Sequence, residues 1–217
     1  MAKKYEEFID RLEEVDYELI PESTVLQTIS ILLKGECSRK DILNLNKDDF
    51  IDIWDDAVDS MECAIDYFRN YYRIPVSGIL PYNALLVPFT YFFYHHQNTK
   101  PSTEAMKRYL DDFFWKVSLS EWYSSSVEAK LAQDIKRIDQ IMNNNLPKYD
   151  FHVDTSKEYI IENGTFRTGR SFIKAILCLM AFQEPKSFND NSIVRMNNNW
   201  LKQANSRNYH HISRGLT

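Results

Sequence analysis

Residues 46–72 read NKDDFIDIWDDAVDSMECAIDYFRNYY, and the spacing of the apolar residues in this stretch decides the fold. Phe50, Trp54, Ala57, Val58, Met61, Ile65, Phe68 and Tyr72 recur every three or four residues, the period that gathers side chains on one face of an α-helix. Asn46 stands where a helix cap belongs, because its short side-chain oxygen can accept from the first backbone amides, which have no partner inside the helix. Asp48 and Asp49 follow, and acidic groups suit the positive end of a helix dipole. The stretch predicts a long helix with one face in a core.

The same rhythm extends in both directions. Tyr5, Phe8, Ile9, Leu12 and Val15 predict a helix over about Lys4 to Leu19. Pro21-Glu22-Ser23 restarts the chain, and Val25, Leu26, Ile29, Leu32 and Leu33 predict a second helix stopped by Gly35. Ser38 to Leu45 reads as a short turn or helix. Beyond the central stretch, Pro75, Gly78 and Pro81 predict a loop, with Pro81 opening a buried helix over Tyr82 to Gln97 that kinks at Pro88. Pro101-Ser102-Thr103-Glu104 opens another helix, which buries Met106, Tyr109, Leu110, Phe113, Phe114 and Val117. Ser125-Ser126-Val127-Glu128 has capping-box form and leads into Leu131, Ile135, Ile138 and Met142; Asn143-Asn144-Asn145 ends that helix. Thr155-Ser156-Lys157-Glu158 is a second capping box, for a short helix closed near Gly164, and Ser171 to Phe182 is an apolar helix ended by Pro185. Phe188 to Met196 has room for a short strand or hairpin, and Asn197 to Ala204 reads as helix again.

The predicted fold class is therefore all-α: an irregular multi-helix bundle with at most one short β-hairpin near the C-terminus. Residues 1–150 form a helical domain, and 151–217 form a helical segment able to pack with it as one domain. Composition agrees. Of 217 residues, 44% are hydrophobic and 14% aromatic, enough apolar surface to support a core. Only 5 Gly and 7 Pro occur, too few to punctuate a many-stranded sandwich or barrel.

Three cysteines, Cys37, Cys63 and Cys178, lie far apart with no CxxC spacing, which points away from a zinc knuckle or a disulfide framework. The first residues lack the apolar core of a secretory signal, and the run Ile79 to Tyr94 is short for a membrane span. The expectation is a cytoplasmic protein with no membrane partner. The net charge of −5 is unevenly spread. From Arg167 onward, Arg167, Arg170, Lys174, Lys186, Arg195, Lys202, Arg207 and Arg214 face only Glu184 and Asp190, so this end is basic and the body acidic. A basic end is an electrostatic invitation to a polyanion such as DNA, with Arg167, Arg170 and Arg207 as the nucleic-acid-binding candidates.

Other chemistry-bearing groups fit helix surfaces and cores. The acidic doublets Glu13-Glu14, Asp48-Asp49, Asp55-Asp56 and Asp111-Asp112 read as solvated faces, and Tyr71-Tyr72 and Phe113-Phe114-Trp115 as core. His95 and His96 are adjacent on a helix and so diverge, which makes them a poor metal pair. Ser124-Ser125-Ser126 lacks the frame of a nucleophilic serine, and no Gly-rich phosphate loop or dinucleotide fingerprint occurs. Asn208-Tyr209-His210-His211-Ile212 differs. Adjacent histidines in an extended segment can divide two tasks, one ligating a divalent metal and the other taking a proton from water.

Leu80-Pro81-Tyr82-Asn83-Ala84-Leu85-Leu86-Val87-Pro88, Phe114-Trp115 with Ser118-Leu119-Ser120-Glu121-Trp122-Tyr123-Ser124, and Lys130-Leu131-Ala132-Gln133-Asp134-Ile135 resemble stretches of the GmrSD-type restriction family. Arg170-Ser171-Phe172 to Pro185, with Trp200 and Tyr209-His210-His211-Ile212, resembles that family's approach to an HNH nuclease motif. The resemblance covers most of the chain from about Pro21. It implies a helical region lying between a ParB-like domain and an HNH nuclease that acts on modified foreign DNA. His210 then matches the ligand of Mg²⁺ or another divalent metal, and His211 the general base, both active only in an intact parent. The family motif continues past Ile212 with an aromatic-Pro pair and further Asn and His residues, where this sequence has Ser213-Arg214-Gly215-Leu216-Thr217. The expectation is thus a truncated HNH-like start holding no cofactor of its own, with a partner subunit supplying the missing domains. Three functions follow: a non-catalytic helical scaffold that positions a nuclease, a nucleic-acid-binding module, or an unrelated enzyme assembled from the acidic doublets with His95 and His96.

Overall fold

A computed structural model describes residues 2–164, 169–193 and 198. Among these the protein is all-α, with nine α-helices and no strand beyond one isolated bridge. They are α1 (Ala2–Glu13), α2 (Glu22–Lys34), α3 (Arg39–Leu43), α4 (Lys47–Asn70), α5 (Leu86–His95), α6 (Glu104–Leu119), α7 (Val127–Met142), α8 (Lys157–Asn163) and α9 (Ser171–Phe182). None of them is long and apolar enough to cross a membrane.

The helix boundaries follow local chemistry. The side chain of Asn46 accepts from the amides of Asp48 and Asp49 and so starts α4. Gly35 ends α2 at φ +72°, a left-handed turn in which a Cβ would be strained. Ser38 and Asp41 form a reciprocal capping box on α3. Three expectations need correction. Helix α1 ends at Glu13 rather than near Leu19, because Asp16 turns left-handed and sends Tyr17 into the core. Helix α5 starts at Leu86, after a 3-10 turn over Asn83–Leu85, so Pro88 falls in the first turn, where its missing N–H breaks no helical bond. Accordingly Pro81 does not open the helix and Pro88 does not kink it. Ser126 begins α7 in a left-handed conformation with no side-chain cap, so the box over 125–128 does not form. The predicted hairpin shrinks to a bridge between Lys186 and Ile193; its last residues, and all of 197–204 except Asn198, lie outside the described residues.

Helix α5 occupies the centre, packed against α2, α4 and α7, while α6 joins α7 to α9. Its composition explains the position: Leu86, Val87, Phe89 and Phe92 are fully buried around its circumference. One aromatic joint ties three helices together. Phe68 of α4 meets Phe89 of α5 edge-on at 4.8 Å, and Tyr72 stacks on Phe114 of α6 at 3.9 Å. Each such side chain stabilises the fold by about 1.5–3 kcal/mol through burial, with about 0.5–1.5 more from ring geometry. Helix α9 carries Cys178 into the same core, so this helix shares the apolar interior of the helices before it.

A single side chain links distant parts of the sequence. The amide nitrogen of Asn198 donates to the Asp16 carbonyl at 2.7 Å and to Glu18 Oε2 at 2.8 Å, while its oxygen accepts from the Gly78 amide at 2.9 Å. Asn198 is 1% exposed, so these bonds are shielded from water.

Candidate functional site

The stretches 118–124 and 130–135 meet around one buried carboxylate. Asp134 lies on α7 one turn from Leu131, on the face that enters the core, and it is fully buried. Its Oδ2 accepts from the Trp122 indole at 2.9 Å and the Tyr123 hydroxyl at 2.5 Å, and its Oδ1 from Arg137 at 2.6 Å. The guanidinium of Arg137 also donates to the Lys148 carbonyl at 3.1 Å and to Asp150 at 2.5 Å. It lies 4.8 Å from the Trp122 ring centre and 5.5 Å from that of Phe151, and those two rings stack on each other. Burial raises the affinity of Asp134 for a proton; its three donors and the charge of Arg137 pull the other way. Both of its oxygens are occupied. The cluster clamps α7, the turn after α6 and the chain at 148–151 to one another.

A second arrangement lies between α4, α5 and α6. A cleft of about 330 Å³ is lined by Cys63, Asp66, Tyr67 and Asn70 from α4, Tyr71 just after it, Phe93 from α5, and Asn98 and Lys100 from the following turn. Tyr71 also borders a more open groove that holds Lys107 and Asp111 of α6. The hydroxyls of Tyr71 and Tyr72 donate to Asp111 at 2.7 and 3.0 Å. Asp111 is therefore no solvated surface acid, as its place in a doublet predicted: it is half-buried, and burial raises its carboxyl above the ordinary range. Tyr67 stacks on Tyr71 at 4.7 Å, yet its own buried hydroxyl has no partner among the described residues. An unpaired buried hydroxyl costs about 1–3 kcal/mol. Burial also pushes the thiol of Cys63 up, helped by Asp66, Asp59 and Glu62, so it stays protonated and is a poor nucleophile.

The remaining predicted groups have local roles. His96 caps α5, with its ring stacked on Phe92 at 5.0 Å and Nδ1 2.8 Å from the Thr99 hydroxyl. His95 packs on Tyr91 at 4.3 Å, and partial burial lowers its proton affinity. Asp48 and Asp49 sit at the start of α4, Asp55 faces Lys4 at 3.7 Å and Asp112 faces Lys116 at 2.7 Å. Of these doublets and histidines only Asp111 borders either cleft. Ser124 donates to the Glu121 carbonyl. Arg170 donates to the Asn163 carbonyl and side chain, both at 3.1 Å, which fastens the start of α9 to the end of α8. Arg167, Arg207, His210 and His211 lie outside the described residues. Among the described residues no three His, Cys, Asp or Glu side chains stand together as a metal site.

Sequence reading missed both clusters. The position of Asp134 on the apolar stripe of α7, three residues before an arginine, was the available sign of a buried ion pair. Nothing local marked the cleft, which forms only when α4 meets the turn after α5.

Comparison with protein-family models, curated proteins and solved structures finds no match to the chain.

Proposed function

We propose that this chain is a non-catalytic helical scaffold, resembling the connector that positions the nuclease in GmrSD-type restriction proteins. The observation that supports this reading is the use made of Trp122, Tyr123 and Asp134, three of the residues on which the resemblance rests. Their polar atoms bond to one another and to Arg137 in a shielded cluster. A carboxylate with three donors on it has little capacity left to activate water or hold a metal. What it does well is fix the angle between helices, which is what a positioning element requires. In this reading divalent-metal chemistry at His210 and His211 belongs to an intact nuclease of that type and not to the helical region itself.

The test is direct. Purified chain incubated with modified and unmodified DNA and Mg²⁺ should leave the DNA intact. Cleavage that disappears in His211→Ala would overturn the proposal. A second reading, nucleic-acid binding without cleavage, rests on the excess of Arg and Lys after residue 166. It requires DNA affinity that falls steeply with salt and weakens when Arg167 and Arg207 are neutralised. Arg170 is the weaker contributor to that surface, since its guanidinium is already engaged with Asn163.

A further inference from the structure

We propose that Asn163 is a site of self-modification, at which attack by the Gly164 backbone nitrogen converts the side-chain amide to a carboxylate with assistance from Arg170. This assignment is independent of the scaffold reading.

Asn163-Gly164 is the one Asn-Gly step in the sequence. The carboxamide carbon of an asparagine and the next backbone nitrogen can close a five-membered ring, and glycine leaves that nitrogen unshielded because it has no Cβ. The Gly164 nitrogen gives its proton to a base in solution and bonds to Asn163 Cγ. The bond from Cγ to the side-chain nitrogen breaks, and that nitrogen takes up a proton and leaves as ammonia. A succinimide remains. Water then breaks one of the two C–N bonds of the ring, giving aspartate or isoaspartate. The sum is asparagine plus water to aspartate plus ammonia, with no change of oxidation state.

Arg170 assists the ring closure. Its Nη2 donates to Asn163 Oδ1 and its Nη1 to the Asn163 backbone carbonyl, both at 3.1 Å. The first bond draws electrons from Cγ and sets a cation beside the oxygen on which negative charge gathers as the ring closes.

The end of α8 acts as a brake. The Gly164 amide donates to the Ile160 carbonyl at 2.7 Å, and Asn163 Nδ2 donates to the Tyr159 carbonyl at 3.1 Å. Neither nitrogen reacts while these bonds hold. Both belong to the last turn of a seven-residue helix with no buried residue, which Ser156 starts by accepting from the Tyr159 amide. So short a helix is marginal, and its end opens readily. Arg170 stands at the start of α9, outside the turn that opens. The product faces Arg170 with an anion in place of a neutral amide, which offsets one cation of the basic end.

The experiment ages the intact chain in mildly alkaline buffer and follows the tryptic peptide 158–167 by mass spectrometry. Asn163 is the one side-chain amide in that peptide, so a gain in mass there reports its conversion. Aspartate and isoaspartate should accumulate at 163 in the folded chain. Ser156→Ala, which loosens α8, should speed this roughly five-fold, the change in open population expected for a lost cap. Arg170→Met should slow it roughly ten-fold, the loss expected for one charge-assisted bond. A merely structural role for Arg170 moves the rate the other way, because releasing its hold frees the turn. In urea, where these contacts are gone, all three chains should react at one rate. Thermal melts of both variants should stay close to that of the wild type. Conversion in urea but not in the folded chain overturns the inference. So does a folded-state rate that Arg170→Met leaves unchanged or raises, one that Ser156→Ala leaves unchanged or lowers, or differences that persist in urea.

Discussion

Arg137 is the side chain whose loss the fold should feel most. It is buried beside Asp134, and removing one member of a buried pair strands the other charge, at a cost of about 3–5 kcal/mol. Arg137→Met should therefore lower stability by that order in urea unfolding. Asp150→Ala removes a bond to the same guanidinium from a side chain that is 66% exposed, so it should cost under about 1 kcal/mol. Equal losses from the two would show that Asp134 is not the anchor. Asp111 gives a pH dependence. Its raised folded-state value means that the folded protein holds that proton more tightly than the unfolded chain does. Its contribution is then fully present below the ordinary carboxylate value of about 3.9 and lost as pH rises through the folded value. Asp111→Asn cannot ionise and keeps an acceptor for the tyrosines. The stability of the wild type relative to this variant should fall as pH rises above the ordinary carboxylate value of about 3.9. These two acids were hard to read in the sequence for one reason. Asp134 and Asp111 sit on amphipathic helices among many acids, and it is the approach of tyrosines from other segments that sets them apart.

At the scale of the element, the sequence was most legible where the determinant is local. Asn46 and Gly35 are read from their own neighbours and each does what its type favours, whereas the capping box expected over 155–158 does not form and Ser156 caps α8 instead by accepting from the Tyr159 amide. Ser125-Ser126-Val127-Glu128 has equally good local form, yet Ser126 adopts φ +51° as the chain turns from the 3-10 segment Trp122–Ser124 into α7. Here the packing of Trp122 and Tyr123 onto Asp134 fixes the entry angle and overrides the cap. The contrast is measurable. Asn46→Ala should cost about 1 kcal/mol of stability as a cap is lost. Ser126→Gly should be neutral or stabilising by up to about 1 kcal/mol, because glycine relieves the left-handed backbone and no cap bond is forfeited. A cost for Ser126→Gly comparable to that for Asn46→Ala would mean that the serine does cap α7. The start of α5 shows the same lesson: Pro81 and Pro88 were both visible, but which of them stands at the helix entrance depended on the 3-10 turn between them.

Considered as a whole molecule, this is a helical body in which α5 is enclosed by α2, α4 and α7, and that arrangement followed from the density of apolar residues in 86–93. The candidate sites were less legible, because their residues come from separated segments that only the packing brings together. Helices α4 and α5 are consecutive helices joined by a modest loop, so their contacts close at lower entropic cost than pairings across the whole chain. Asn198 is the opposite case, since it reaches Asp16 across 182 positions. Closing so long a loop rewards the chain only after the turn at 16–18 and the segment at 77–78 are already in place. The bond set at Asn198 is therefore a late event on the folding route and contributes little to the transition state. Asn198→Ala should leave the refolding rate almost unchanged and accelerate unfolding by roughly ten-fold or more, visible as a shift of the unfolding limb alone in stopped-flow urea jumps. A single amide side chain thus acts as a kinetic latch, governing how long the native state lasts rather than how fast it is reached.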